Sequence, residues 1–313
     1  MNMVATTPHM EGFKLEDQKS LSEVKALEPY GDRAQEKTIP VIEIFGPTIQ
    51  GEGAMIGVKT MFVRFGGCDF RCGRCDSMHA VDPAAVKQNA SWLTQEQIFE
   101  VLQAAKDTTG VEWVTLSGGN PTMWDLELLV DLCSKAGISV AVETQGSIWR
   151  DWLRNVQQLT LSPKGPGMQE KFDPVKFKSF LDKIGPETKT CVKIVCFGMA
   201  DMEFALSVDA ILDNTPHWNS TARTFTTPLV IDRGSRYLSL GNYMQPILGE
   251  DLQLHDQELV DDELFPVEVQ IPEELLASYK NILEMDFLPD PRLSHWKFLP
   301  QLHVLVWSNK AKV

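Results

Sequence analysis

Cys68-Asp69-Phe70-Arg71-Cys72-Gly73-Arg74-Cys75 sets three thiols at C-x3-C-x2-C spacing, with no fourth cysteine within fifty residues. Three thiolates can hold three corners of a cubane iron–sulfur cluster and leave the fourth iron open to a substrate or cofactor, which a four-cysteine site cannot do. The competing reading is structural zinc with His79 as fourth ligand. Zinc favours paired C-x2–4-C elements that close a tetrahedron, and no second pair follows Cys75.

The chain has 313 residues, 43% of them hydrophobic, and a formal net charge of −14. That length allows one large domain or two small ones with a sizeable core. No apolar run approaches the length of a membrane span, and no secretory signal stands in the leader, residues 1–38, which mix seven acidic and five basic side chains. Residues 249–276 hold ten Asp or Glu and no Lys or Arg, the pattern of a solvated surface or insertion. Phosphate binding needs Lys and Arg, and no basic stripe is present, so the charge argues against nucleic acid and for a small molecule. Cys133 lies in an apolar helical stretch. Cys191 and Cys196, five residues apart on a strand, point to opposite faces and read as buried thiols rather than a disulfide. A reducing cytoplasm suits all six cysteines.

From Pro40 onward, strands alternate with helices. Strands are expected at 40–45, 60–65, 111–116, 138–142, 159–161, 192–197 and 236–244. Helices are expected from the capping box Thr94-Gln-Glu-Gln97 to Lys106, at 126–135, 149–156, 174–184, 202–212 and 273–285. Repeated βα units mean a parallel sheet, and about six of them make an incomplete, TIM-like barrel. Residues 213–235 and 247–292 fit this pattern poorly and read as connections or insertions. The cysteine loop, Ser117-Gly118-Gly119, Glu143, Ser162-Pro163-Lys164 and Gln245-Pro246 each follow a strand. They therefore converge on the carboxyl rim of the sheet, where such folds place their sites. The tryptophans, Trp92 included, read as packing anchors.

C-x3-C-x2-C after a strand resembles the signature of the radical S-adenosylmethionine superfamily. In that superfamily the open iron chelates S-adenosylmethionine, and one electron from the cluster cleaves it to a 5′-deoxyadenosyl radical. The flanks narrow the likeness. Glu43-Ile-Phe-Gly-Pro-Thr-Ile-Gln-Gly-Glu-Gly53, Lys59-Thr-Met-Phe-Val-Arg64, Cys75-Asp-Ser77, Thr115-Leu-Ser-Gly-Gly-Asn-Pro121, Glu143-Thr-Gln-Gly146, Ser162-Pro-Lys164, Gln245-Pro246 and Leu299-Pro-Gln-Leu-His303 resemble, in order, the blocks of the 7-carboxy-7-deazaguanine synthases. The resemblance covers about residues 39–199 well and 236–313 more loosely.

It implies that Cys68, Cys72 and Cys75 hold a 4Fe-4S cluster. Arg74, Asp76, Gly119, Ser162, Pro163, Lys164, Gln245 and Pro246 would contact S-adenosylmethionine. The backbone of Ile49-Gln50-Gly51, with Glu52, Arg64, Ser117 and the carboxylate of Val313, would contact a carboxypterin, 6-carboxy-5,6,7,8-tetrahydropterin. Ser77 would ligate Mg2+. Glu143 and Gln145 are further candidates at a neighbouring strand end. The bland reading of Arg64 is a rim ion pair. The usual form of the Gly-Gly motif ends in Glu; this chain has Asn120, so no carboxylate role carries over there. The resemblance also implies an electron donor such as flavodoxin or ferredoxin, a homodimer, and a product that feeds 7-deazapurines such as queuosine. Two alternatives stay open. An activase making a radical on a protein partner would share the cysteines but lack Gln50-Gly51-Glu52 and Arg64. A non-enzymatic cluster or zinc module would lack cofactor cleavage.

Overall fold

The computed structural model describes residues 38–219, 224–241 and 273–302. Its strands are β1 (Ile39–Ile49), β2 (Lys59–Phe65), β3 (Ser91–Leu93), β4 (Trp113–Gly118), β5 (Ser139–Thr144), β6 (Gln158–Leu161), β7 (Lys189–Cys196), β8 (Pro216–Asn219), β9 (Thr224–Leu229), β10 (Arg236–Leu240) and β11 (Lys297–Leu299). Its helices are α1 (Met78–Val81), α2 (Pro83–Asn89), α3 (Gln95–Thr109), α4 (Glu127–Lys135), α5 (Pro174–Leu181), α6 (Met199–Leu212) and α7 (Glu273–Asn281). Nine strands form one sheet in the order β11-β10-β7-β6-β5-β4-β2-β1-β3. From β2 to β11 every pairing is parallel. The sheet does not close, so the architecture is the expected incomplete barrel.

Local sequence explains most elements. Thr94 and Gln97 form the reciprocal capping box that starts α3. Pro174 occupies the first turn of α5, with Asp173 capping it. Gly137, at φ +67°, ends the α4 segment as only glycine does at low cost.

The structure departs from the sequence reading in several places. β1 runs antiparallel to both β2 and β3. Its link to β2, residues 50–58, is too short for a parallel crossover, which needs a dozen residues or more. Residues 78–93 form α1, α2 and β3, which the strand–helix pattern did not mark. The stretch 149–156 yields a 3-10 turn, Asp151–Asn155, rather than an α-helix. The 213–235 connection contains the antiparallel β8–β9 hairpin. The last helix ends at Asn281 and continues as a π-turn, Ile282–Phe287. Its Leu275, Tyr279 and Ile282 join the core, although 273–292 had been counted with the insertion. Trp92 is 54% exposed rather than a packing anchor, because alternation on the outermost strand sends Leu93 inward and Trp92 out. Residues 1–37, within the leader, and 242–272, which include most of the acidic stretch 249–276, lie outside the described residues.

The sheet has two unlike faces. Val114, Leu116, Val140, Val142, Leu159, Leu161, Val192, Ile194, Cys196, Leu238 and Leu240 pack with helix residues in one core. Many of the alternate positions are polar: Thr60 and Arg64 on β2, Thr115 and Ser117 on β4, Glu143 on β5, Thr160 on β6, Lys193 beside the thiol of Cys191 on β7, Ser239 on β10. Cys191 and Cys196 fall on opposite faces, as the spacing requires, and both are free thiols. Register confirms the polar row, with Arg64 opposite Ser117, Glu143 opposite Thr160, and Thr160 opposite Cys191. Among the described residues no helix is long and apolar enough to cross a membrane.

Candidate active site

The loop after β2 carries the three cysteines and is fixed by the strand ends beside it. Gly119 N donates to Phe65 O (3.0 Å), and Asn120 N donates to Gly67 O (2.8 Å). This approach leaves no room for side chains: a Cβ on Gly118 would lie 2.2 Å from Phe65 O, and one on Gly119 would lie 2.1 Å from Gly67 O. The two glycines are thus required by the seating of the cysteine loop, before any cofactor is considered.

Asp69 is held by two amides, Gln145 Nε2 at 2.6 Å and Asn120 Nδ2 at 2.8 Å. Asn120 is fully buried, and its Oδ1 accepts from the hydroxyls of Thr122 (2.8 Å) and Thr144 (2.9 Å). An amide, donating to one side and accepting on the other, satisfies both neighbours; a carboxylate at 120 would face the Asp69 carboxylate. This accounts for Asn in place of Glu.

The sulfurs sit in a mixed shell. Phe70 N and Gln145 Nε2 donate toward Cys68 Sγ, at 3.4 and 3.8 Å. Cys72 packs with Met168 and Phe197, bordered by Phe70, Cys75 and Val195. Arg74 lies over the Phe197 ring at 4.7 Å. Burial pushes the Cys72 thiol up to about 12 and that of Cys75 to about 11, and raises Cys68 too. The Lys164 charge acts against this at all three, and its Nζ donates to Ser162 Oγ (2.9 Å). Among the described residues no three His, Cys, Asp or Glu side chains close round a single ion; thiolates that each hold a separate iron need not. N–H donors to sulfur, one cation and an apolar wall fit an iron–sulfur cluster, whose potential such contacts tune.

Arg64 crosses from β2 to this loop. Its Nε donates to Glu43 Oε1 (2.5 Å) and its Nη1 to Ser77 Oγ (2.8 Å), while the Ser77 hydroxyl donates to Asp76 Oδ1 (3.0 Å). The ion pair weighed as the bland reading of Arg64 is therefore present. Ser77 Oγ keeps one lone pair, beside a carboxylate, and these hard oxygens fit magnesium.

Gln50 and Glu52 belong to a buried polar network on the same sheet face. Gln50 Nε2 donates to Glu143 Oε1 (2.9 Å). Glu52 accepts from Lys193 Nζ (2.5 Å), Ser239 Oγ (2.8 Å) and Gln301 Nε2 (2.8 Å). Gly51 O accepts from Leu302 N (3.1 Å), and the Gln50 peptide is paired with Val58 and Gly57. Ile49, the last residue of β1, is 42% exposed. Ser117, Gly119, Ser162, Pro163 and Lys164 stand at the ends of β4 and β6 on the rim expected for them. Gln245, Pro246, His303 and Val313 lie outside the described residues.

A model of the radical SAM superfamily matches residues 62–163. The 7-carboxy-7-deazaguanine synthase of Bacillus subtilis (strain 168) is 35% identical to the chain, covering 88% of this chain and 99% of that one. The chain belongs to the 7-carboxy-7-deazaguanine synthase family. The Bacillus cereus family member is 33% identical over 88% of this chain and 99% of its own. The chain is also similar to a crystal structure of QueE from Escherichia coli, at TM-score 0.49 and 24% identity, covering 65% of this chain and 84% of that one. The fold places the described motif residues at the strand-end rim, whereas Lys193, Asp69 and Ser239 were not singled out from the sequence. Lys193 did leave a trace, as the one charge in the apolar strand Cys-Val-Lys-Ile-Val-Cys.

Proposed function

We propose that this chain is a radical S-adenosylmethionine enzyme that converts 6-carboxy-5,6,7,8-tetrahydropterin into 7-carboxy-7-deazaguanine with loss of ammonia. The observation that carries this reading is near full-length likeness to synthases of that name in a chain whose cysteine loop and polar face share one rim. Cys68, Cys72 and Cys75 would hold the 4Fe-4S cluster, and Arg74, Asp76, Gly119, Ser162, Pro163, Lys164, Gln245 and Pro246 would bind S-adenosylmethionine. When bound, these groups supply a radical that removes hydrogen from C6 of the substrate. The protein's own work is positioning and the exclusion of water.

Arg64 suits the substrate carboxylate, because a guanidinium pairs with it in bidentate fashion. Ile49, Gln50, Gly51, Glu52, Ser117 and Val313 would complete the substrate contacts, and Ser77 would ligate Mg2+. The chain would take electrons from a small redox protein such as flavodoxin or ferredoxin and act as a cytoplasmic homodimer. The activase alternative is not favoured, since relatives matching 88% of this chain are named as synthases. Anaerobic incubation of reconstituted protein with the carboxypterin, S-adenosylmethionine, Mg2+ and reductant tests the reading by mass. It is upheld by 7-carboxy-7-deazaguanine and rejected if the pterin is recovered unchanged while S-adenosylmethionine is cleaved.

A further inference from the structure

Asp201 stands in the first turn of α6 and is 2% exposed. An acid in a first turn ordinarily serves the free N–H groups of its own helix. This one turns inward and accepts from two other segments. Oδ1 takes the N–H of Gly167 at 2.7 Å, and Oδ2 takes the N–H of Phe197 at 2.8 Å. Accepting at both oxygens is what an ionised carboxylate offers. Burial pushes its carboxyl up, while the two N–H groups and the Arg74 charge act against this.

Both partners belong to the wall beside Cys72. Gly167 lies in the 3-10 turn Pro166–Met168, and Phe197 follows β7. Met168 and Phe197 pack on Cys72, and Met168 O accepts from Gly73 N at 3.0 Å, inside the cysteine loop. The turn is shaped to lie on α6: a Cβ on Gly165 would stand 2.4 Å from Phe204 Cδ1, and one on Gly167 would stand 2.2 Å from Asp201 Oδ2. Packing alone could seat two apolar side chains, and a buried carboxylate is a costly addition to it. What the carboxylate adds is fixed backbone on both sides of Cys72. We propose that Asp201 is a positioning residue of the cluster, clipping Met168 and Phe197 against Cys72 and so keeping water from that corner. This rests on the cluster assignment proposed above. Solvent exposure and net charge are among the properties that set the potential of an iron–sulfur centre. The reduced centre carries one more negative charge, so water admitted beside it favours reduction.

The test compares anaerobically reconstituted wild type, Asp201→Asn and Gly167→Ala by redox titration followed by electron paramagnetic resonance, and by the rate at which a chelator removes iron. Asp201→Asn removes the charge and leaves an amide oxygen for only one of the two N–H groups. Gly167→Ala keeps the charge but forces the turn off Asp201, and it decides the matter should Asp201→Asn not fold. Both variants should move the midpoint potential positive. Both should lose iron about tenfold faster, the scale on which losing one hydrogen bond to a charged group shifts a local opening equilibrium. Lower unfolding stability with wild-type potential and iron release would make Asp201 a structural clip only, and overturns the proposal. A shift in Asp201→Asn with wild-type behaviour in Gly167→Ala would show an effect of charge without anchoring, and overturns it too. Wild type that takes up no cluster refutes the functional reading, and this inference with it.

Discussion

At Asn120 one amide decides how the cysteine loop is seated. Asn120→Asp would set a second carboxylate 2.8 Å from Asp69 where a donor now stands. A buried hydrogen bond to a charged group contributes about 1.5–3 kcal/mol, so the variant should lose at least that in stability and reconstitute with less iron per chain. Denaturant titration and iron analysis check both. Ser77→Ala should remove the stimulation of turnover by Mg2+, measured as activity against metal concentration; unchanged dependence would place the metal elsewhere. At this scale the sequence was legible where a motif is contiguous, as at Cys68–Cys75. It was not legible where partners are far apart: Glu52 meets Lys193, Ser239 and Gln301 across separations of 141, 187 and 249 residues. No local pattern records such meetings. Asp69 was hidden beside Cys68, in a loop that had been read for its sulfurs.

The βα alternation was readable element by element, because a helical period and strand alternation are local signals. The capping box before α3 and the proline that opens α5 fall where residue chemistry puts them. The orientation of β1 was not read from its own residues; it follows from the short link to β2. α1, α2 and the β8–β9 hairpin were missed because short elements carry too few periods to stand out. The junction of β2 and β4 gives a prediction for this scale. Gly119→Ala drives a Cβ into the Gly67 carbonyl, and backbone cannot yield as a side-chain tip can, so a loss of about 2 kcal/mol or more is expected by denaturation. The buried thiols of Cys133 on α4 and Cys196 on β7 give another. Burial holds both up at about 12, against an ordinary 9.0. From pH 9 to 12 the unfolded chain loses these protons before the folded one does. The stability they contribute is therefore full below pH 9 and is lost as pH rises, by up to about 1.4 kcal/mol per pH unit for each thiol. Unfolding free energies from pH 8 to 10.5 should fall less steeply in Cys133→Ala than in wild type.

For the molecule as a whole, one sheet separates two tasks. Its helix-covered face is an apolar core, while the other carries a polar row that ends, at the carboxyl edge, in the cysteine loop. Parallel strands are what bring motifs spread over a hundred residues to that edge, and this much followed from sequence order alone. On the proposed assignment Cys68, Cys72 and Cys75 would leave one iron of the cluster for S-adenosylmethionine. Electron paramagnetic resonance of the anaerobically reduced, reconstituted protein, recorded with and without S-adenosylmethionine, tests it most directly. A cubane signal that shifts when the cofactor is added is the expected result; absence of that signal, or a signal indifferent to the cofactor, would contradict it.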